Sequence, residues 1–258
     1  MSDREPLLGE THLVERLRAA GCVTPEEEAQ EMVAAAPGGV VPPAWPSRRE
    51  RGEPLAWITG GLEVCGRWTR VDPGVYVPRI QSEELAQRAA ELMPRRGRAV
   101  DLCCGSGAIA AHLAAEVAGA LVVGVDIDPA AAACATRNGV TVLVGDLDGP
   151  LRHGRCFDVV TAVTPYVPTD ELRLLPADVR AYEPRVALDG GADGLEVARR
   201  LVPAARTLLR RGGWLLLELG GDQDERLAPD LAASGFAEVE SWQDEDGDLR
   251  GLAARLAT

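Results

Sequence analysis

The chain has 258 residues, of which 26% are charged, and its formal net charge is −13. This length accommodates one large α/β domain together with a small additional domain. The net charge has the wrong sign for electrostatic binding of nucleic acid, so we expect no nucleic-acid partner.

The beginning of the chain is charged and lacks the apolar core of a secretory signal, and no apolar run of the sequence is long enough to span a bilayer. These features predict a cytoplasmic protein without a membrane partner. The six cysteines show no C-x-x-C spacing and lie mostly in apolar segments, which favours buried free thiols over disulfides. Because the three histidines are scattered as well, we predict no metal site.

Two short helices are predicted in the first part of the chain. The first covers residues 11–20, where leucines recur on one face. The second has the signature of a capping box, with Thr24 as N-cap, Pro25 at the first helical position and Glu27 placed to reach back. A Pro- and Gly-rich connector over residues 36–54 then indicates a domain boundary.

After residue 98, apolar runs of buried-strand length alternate with Ala-rich helical stretches, a pattern typical of parallel strands covered by helices on both faces. The predicted strands cover residues 98–103, 120–127, 140–146, 156–162 and 214–220, and the predicted helices cover residues 108–118, 129–138 and 194–211. Gly212 and Gly213 are expected to cap the last helix. Two further strands, 236–242 and 248–256, are joined by a short turn and must be antiparallel.

The expected fold class is therefore α/β, with an open, mostly parallel seven-stranded sheet that ends in a C-terminal antiparallel hairpin. A small helical N-terminal domain precedes it. This Rossmann-like architecture is typical of class I methyltransferases, which depend on S-adenosyl-L-methionine (AdoMet).

The turn after the first of the parallel strands contains Gly105 and Gly107, which would let the backbone approach a ligand closely. Asp101 at the strand end can hold an amine or a hydroxyl group. The G-x-G-x-x-G spacing of dinucleotide-binding folds is absent, because Cys103 and Cys104 occupy the front of the turn. Such a turn suits a ligand without a pyrophosphate, for example AdoMet.

Acidic residues also follow the next two strands. Asp126 is placed to accept both hydroxyls of a ribose, with Ile127 beside it, and Asp128 is predicted to cap a helix. Asp146 could meet the adenine amino group while Leu147 packs on the ring. Three acidic strand ends in order favour AdoMet as cofactor, with S-adenosyl-L-homocysteine (AdoHcy) as product. A Rossmann-like fold that binds another ligand stays an alternative.

Several long segments together resemble the HemK/PrmC family of protein-glutamine N5-methyltransferases, which methylate the glutamine side-chain amide of peptide-chain release factors. Residues 52–85 resemble the linker hairpin of that family and the start of its catalytic domain. Residues 100–110 resemble its AdoMet loop, and residues 182–201 the segment after its catalytic loop. The double cysteine of the AdoMet loop resembles an actinobacterial branch of the family. The resemblance implies a helical N-terminal domain and linker (1–50), a connecting β-hairpin (51–80) and a methyltransferase catalytic domain (81–258).

The catalytic motif of the family is Asn-Pro-Pro-Tyr, and the matching residues here are Val163, Thr164, Pro165 and Tyr166. In the family, the Asn oxygen accepts one amide hydrogen of the substrate and the backbone carbonyl of the next residue accepts the other. Val163 has no acceptor atom, and an unpaired donor in a desolvated pocket costs about 1–3 kcal/mol. Thr164 adds a hydroxyl, and Tyr166 can still form an aromatic wall.

The altered motif leaves three hypotheses open. The first, narrowly favoured, is an AdoMet-dependent methyltransferase with a changed acceptor, either a small molecule or an oxygen or carboxylate group. The second is genuine glutamine N5-methylation of a protein such as a release factor, with the Thr164 hydroxyl as a substitute acceptor. The third is a catalytically silent module that binds AdoMet or a protein, which the intact cofactor residues disfavour. The sequence does not determine the oligomeric state.

The resemblance also places Arg79 beside the cofactor pocket, although a surface ion pair would fit this residue equally well. Glu183, Asp189 and Asp193 follow the catalytic loop and could line the entrance for a substrate.

Overall fold

The structure, a computed structural model, describes residues 10–258. The charged beginning of the chain, from which we expect no secretory signal, lies outside these residues. Among the residues that are described, no helix is long and apolar enough to cross a membrane.

Four short helices open the described part of the chain. They are α1 (Glu10–Ala19), α2 (Pro25–Ala35), α3 (Ala44–Glu50) and α4 (Leu55–Thr59). Leu13 and Leu17 of α1 and Met32 of α2 are fully buried against one another, as the leucine spacing predicts. The capping box is wrong in one respect: α2 begins at Pro25, but the Thr24 side chain makes no capping hydrogen bond.

An antiparallel hairpin connects these helices to the large sheet. Its strands are β1 (Gly61–Val64) and β2 (Arg67–Arg70). The helix α5 (Ser82–Leu92) follows and packs Leu85 and Ala89 on the sheet. The division of the chain into three domains at residues 50 and 80 stays a prediction.

The large sheet has seven strands in the order β5-β4-β3-β6-β7-β9-β8. They are β3 (Arg98–Leu102), β4 (Leu121–Asp126), β5 (Thr141–Val144), β6 (Phe157–Ala162), β7 (Leu209–Glu218), β8 (Phe236–Gln243) and β9 (Leu249–Leu256). The first five in this order run parallel, and β9 pairs antiparallel with both β7 and β8. The predicted parallel sheet with its C-terminal antiparallel hairpin is confirmed.

Helices cover both faces of this sheet, because its central strands are apolar on both sides. The remaining helices are α6 (Ala108–Glu116), α7 (Pro129–Arg137), α8 (Ala177–Tyr182), α9 (Glu196–Leu208) and α10 (Gln223–Ala233). On one face α5 and α6 bury residues such as Leu85 and Leu113, and on the other α9 and α10 bury residues such as Leu201 and Leu227. Each fully buried Leu contributes about 1.5–3 kcal/mol of transfer free energy.

The predicted helix over residues 194–211 and its glycine cap are wrong at the C-terminal end. Helix α9 ends at Leu208, and β7 begins at Leu209 and includes Gly212 and Gly213. Leu209 is a buried partner of Phe157 in β6, and the register then shifts at a bulge before the next pairs form. Pairing with a buried neighbouring strand therefore overrides the helical pattern of this segment.

Candidate active site

A cavity of about 950 Å³ opens beyond the carboxyl ends of the parallel strands. This is the edge at which ligands bind in open α/β sheets, and the volume lies near the upper end of the roughly 300–1,000 Å³ of ligand pockets. The cofactor half of the cavity is lined by residues that follow β3, β4 and β5, and the acceptor half by residues 163–167, 175, 176, 179 and 184–189. The cavity brings together the predicted site residues Arg79, Asp101, Cys103, Gly105, Asp126, Ile127, Asp146, Leu147, Val163, Thr164, Pro165 and Tyr166.

Asp101, the first acidic residue of the cofactor half, is almost completely buried, with 1% of its surface exposed. Its Oδ1 accepts a hydrogen bond of 2.8 Å from the Thr161 hydroxyl, whereas its Oδ2 has no partner among the residues that the structure describes. Burial raises the pKa of Asp101 to about 7, although the bond from Thr161 acts in the opposite direction. A buried carboxylate oxygen without a donor suits a cationic amine from a ligand.

Asp126 is held in one orientation by the backbone around it. Its Oδ2 accepts from the Gly105 N–H at 2.7 Å, and its Oδ1 accepts from the Asp128 N–H at 2.9 Å. Because a carboxylate oxygen has two acceptor sites, each oxygen can still receive a hydroxyl from a ligand. Burial raises the pKa of Asp126, and the two backbone bonds partly offset that effect. The predicted capping role of Asp128 is confirmed, because its side chain accepts from the Ala130 N–H at 2.8 Å.

The third acidic residue, Asp146, is different because it already has a charged partner. Its Oδ2 lies 2.5 Å from the Arg200 Nη2, and about half of the Asp146 side chain is exposed. Leu147 is buried against the core. Burial raises the pKa values of the Cys103 and Cys104 thiols, so both stay protonated, as packing residues would.

The two glycines of the AdoMet-loop motif have different roles. Gly105 has φ +55°, lines the cavity, and a Cβ built on it would meet no atom within 4 Å, so a side chain there would extend into open space. Gly107 does not line the cavity. A Cβ at Gly107 would lie 2.8 Å from the Ala135 Cβ, so this glycine is required by the contact between α6 and α7. The expectation that Gly107 admits a ligand thus has no support from its position.

Residues Val163 to Tyr166, here called the acceptor clamp, follow β6 directly and line the acceptor half. Val163 packs against the core formed by α5 and α6. Because its side chain is a hydrocarbon, it offers the acceptor half no hydrogen-bond acceptor. Thr164 has 1% of its surface exposed, and its Oγ1 has no hydrogen-bond partner within residues 10–258. Burial and the nearby charge of Glu218 raise the pKa of Tyr166 to about 12, so this side chain is a neutral phenol.

Arg79 lines the cavity and also forms an ion pair. Its Nη2 donates to the Glu183 Oε1 at 2.6 Å, and its guanidinium lies 4.8 Å from the centre of the Tyr76 ring. Glu183 is buried and accepts a further hydrogen bond from the Val77 N–H at 3.4 Å. Arg79 therefore lies in the cavity wall and also forms an ion pair, but with a buried rather than a surface partner, and its contact with the cofactor stays a prediction.

The acidic residues after the catalytic loop separate in the structure. Asp189 lines the cavity and accepts from the Thr169 hydroxyl at 2.6 Å. Asp193 and Glu183 do not line it, and Asp193 pairs with Arg199 and Arg226. Of the three residues predicted to line the entrance for a substrate, only Asp189 lines the cavity.

Two buried polar residues behind the clamp were not predicted from the sequence. Glu218 ends β7, has 1% of its surface exposed and accepts from the Ser82 hydroxyl at 2.6 Å. Gln223 begins α10 and donates to the Tyr166 backbone carbonyl at 2.8 Å. Glu218 could have been found, because it is an acidic residue at a strand end like Asp101 and Asp126. Gln223 has no comparable signal.

Comparison with known proteins shows which family the chain belongs to. Residues 99–184 match a protein family described as a methyltransferase domain. The release factor glutamine methyltransferase of Geobacter sulfurreducens is 41% identical over 216 residues, which cover 81% of this chain and 76% of that protein. The chain belongs to the release factor glutamine methyltransferase family. The relative of the same name from Moorella thermoacetica is 44% identical over 195 residues, or 72% of this chain and 68% of the relative.

A solved structure supports the fold independently of close sequence similarity. The ribosomal protein L11 methylase of Lactobacillus delbrueckii superposes with a TM-score of 0.53 at 18% identity, covering 74% of this chain and 86% of that protein. The class I methyltransferase fold is confirmed. This member of the release factor glutamine methyltransferase family is therefore an enzyme that uses AdoMet, as the sequence predicts.

Proposed function

We propose that this enzyme transfers the methyl group of AdoMet to the side-chain nitrogen of a glutamine in a protein, with a release factor as the substrate. The names of the relatives support this acceptor over the changed acceptor that the sequence narrowly favoured. The observation that carries the proposal is Thr164, a residue of the wall of the acceptor half whose buried hydroxyl has no partner among the described residues. A cytoplasmic location is part of the proposal.

An amide nitrogen is a weak nucleophile, because its lone pair is delocalised into the carbonyl group. Catalysis therefore depends on holding the nitrogen in line with the methyl group, which requires an acceptor for each of its two N–H bonds. Thr164 can provide both acceptors, its Oγ1 and its backbone carbonyl, the latter at the same position as in the family motif. The Tyr166 ring would form the wall against which the flat amide packs.

On the cofactor side, the residues present fit AdoMet. The free Oδ2 of Asp101 would accept from the amino group, and Asp126 would accept from the ribose hydroxyls. Asp146 and Leu147 would contact the adenine, and Gly105 leaves space for the ligand. Further proposed contacts are Cys103, Ile127 and Arg79. AdoMet supplies an electrophilic methyl group on its sulfonium.

The proposal is tested with a purified release factor and with three matched peptides that carry Gln, Glu or Asn in the same Gly-Gly-X context. Mass spectrometry should find one added methylene on the Gln substrate only. Thr164→Val should lower kcat/KM for this reaction about tenfold, and Thr164→Ser should retain it, because only Ser keeps the hydroxyl. AdoHcy binding should be unchanged in both variants.

A second candidate, methylation of an oxygen acceptor, is favoured by the apolar side chain of Val163. A carboxylate has no N–H bonds to be held, so it would not need the missing Asn oxygen. Methylation of the Glu peptide with no reaction of the Gln peptide would overturn the glutamine proposal and support this one.

A further inference from the structure

The side chain of Gln223 bridges two loops behind the acceptor half. Its Nε2 donates to the Tyr166 carbonyl at 2.8 Å, and its Oε1 accepts from the Gly220 N–H at 3.1 Å. Only 5% of the residue is exposed. The loop after β6 is thus tied to the loop after β7 by one buried amide with both of its polar atoms paired.

A third backbone segment, at Gly194, packs against this hydrogen bond. Gly194 has φ +74°, and a Cβ built on it would clash with both the Tyr166 carbonyl oxygen and the Gln223 Nε2. The Tyr166 carbonyl and the Gln223 amide therefore lie directly against the Gly194 backbone, in space that a side chain at position 194 would fill.

The remaining contacts anchor the clamp at its two ends. Ala162 belongs to β6 and pairs with both β3 and β7. The Val167 N–H donates to the Leu188 carbonyl at 3.1 Å, and the Val167 carbonyl accepts from the Gly190 N–H at 2.9 Å. Between these anchors, the hydrogen bond from Gln223 holds the backbone at Tyr166, two residues after Thr164.

We infer that Gln223 is a positioning residue of the acceptor clamp, whose side-chain amide sets the orientation of Thr164 toward the methyl acceptor. This inference rests on the proposed function for the identity of the acceptor. Gln223 does not line the cavity, so it acts through Tyr166 rather than on the substrate. A displacement of about 1 Å at a reacting group can cost on the order of 100-fold in rate.

Two substitutions of similar size separate the roles of Gln223. Gln223→Glu keeps an acceptor for the Gly220 N–H, but it replaces the donor to the Tyr166 carbonyl with a second oxygen, which cannot donate. Gln223→Met removes both hydrogen bonds without adding charge. Gln87→Glu, at an exposed position of α5, is the matched control for the charge change. The measurements are kcat and KM for release-factor methylation, AdoHcy affinity by calorimetry, and hydrogen exchange of residues 163–168.

For both Gln223 variants we expect kcat to fall roughly 10- to 100-fold while AdoHcy affinity stays within about twofold of the parent. Hydrogen exchange should become faster in residues 163–168 and stay unchanged in β6. The control should match the parent throughout. Should Gln223→Glu not fold, Gln223→Met carries the test alone.

The inference is overturned if exchange of residues 163–168 is unchanged, or if kcat stays within about twofold of the parent in an active enzyme. It is also overturned if AdoHcy binding is lost together with kcat, since that result indicates a general structural role. If the parent fails to methylate glutamine but exchange of the clamp still rises in the variants, the acceptor proposal is wrong and the positioning role of Gln223 stands.

Discussion

The two halves of the cavity differ in how their polar groups are satisfied. In the cofactor half, both oxygens of Asp126 accept from backbone N–H groups and Asp146 pairs with Arg200. The exception in that half is Asp101, whose Oδ2 has no partner among the described residues. In the acceptor half, the Thr164 hydroxyl also has no partner among the described residues, and Val163, which lines the cavity and packs against the apolar core, has no polar side-chain atom. The cofactor half is thus built from strand ends whose geometry the sheet fixes, whereas the acceptor half is built from the clamp and from residues between 175 and 189 that lie outside the sheet. On the proposed assignment of the two halves, we expect changes at positions 163 and 164 to alter the acceptor without disturbing AdoMet binding.

The largest effect is expected from breaking the cofactor half at Asp126. Asp126→Ala leaves the N–H groups of Gly105 and Asp128 without an acceptor and removes the proposed ribose contacts, so AdoHcy affinity should fall about 100-fold or more. Calorimetry measures this change, and Asp246→Ala in the exposed β8–β9 turn is the control. A variant that binds AdoHcy as well as the parent would contradict the assignment of the cofactor half.

The next effect comes from rebuilding the acceptor half. The double change Val163→Asn and Thr164→Pro restores the family motif and supplies an amide oxygen as acceptor. If one hydrogen bond worth about 1–3 kcal/mol is gained in the transition state, kcat/KM for glutamine should rise roughly 10- to 100-fold. The assay follows methylation of the release factor with AdoHcy affinity as the control. An equal or lower rate with unchanged AdoHcy binding would contradict the prediction that the missing Asn oxygen limits glutamine methylation.

A smaller, graded effect is expected from the charge state of Asp101. Its pKa is raised to about 7, so the free carboxyl binds a proton below that pH, whereas a cationic amine requires the ionised form. AdoHcy binding therefore releases a proton at low pH. Affinity should be constant above pH 7 and should fall by up to about tenfold per pH unit below it. Calorimetry between pH 5.5 and pH 8 measures this slope. The Asp101→Asn variant should bind AdoHcy more weakly, and its AdoHcy affinity should not change over this pH range.

The smallest effect is expected where the N-terminal helices contact the wall of the acceptor half. The Arg49 Nη1 lies 3.5 Å from the Asp178 Oδ2 on α8, and Arg49 also pairs with Glu28 of α2. Because such partly exposed ion pairs contribute about 0.5 kcal/mol, Asp178→Asn should raise the acceptor KM about twofold and leave AdoHcy affinity unchanged. Asp170→Asn, at an exposed position, is the control. A larger loss of AdoHcy affinity would show that the two halves are coupled.

Much of the fold could be predicted because its signals are local. Apolar runs of strand length predict β3, β4, β5 and β6, and the acidic residues at or just after the ends of β3, β4 and β5 predict the cofactor half. The failure at Leu209 has a different cause, since its strand conformation depends on pairing with Phe157, which is more than fifty residues away in the chain. Gly107 shows the same limit, because only its contact with Ala135 reveals why a glycine is needed there.

The amino-acid sequence alone determined the α/β class, the position of the cofactor loop and the position of the clamp after β6, because each is indicated by residues that are close together in the chain. Only the tertiary structure decided that the Thr164 hydroxyl is buried without a partner among residues 10–258, that Val163 packs against the core at the edge of the cavity and that Gln223 donates a hydrogen bond to the Tyr166 carbonyl. The physical reason is that burial and hydrogen-bond pairing depend on neighbours that the fold brings from distant segments.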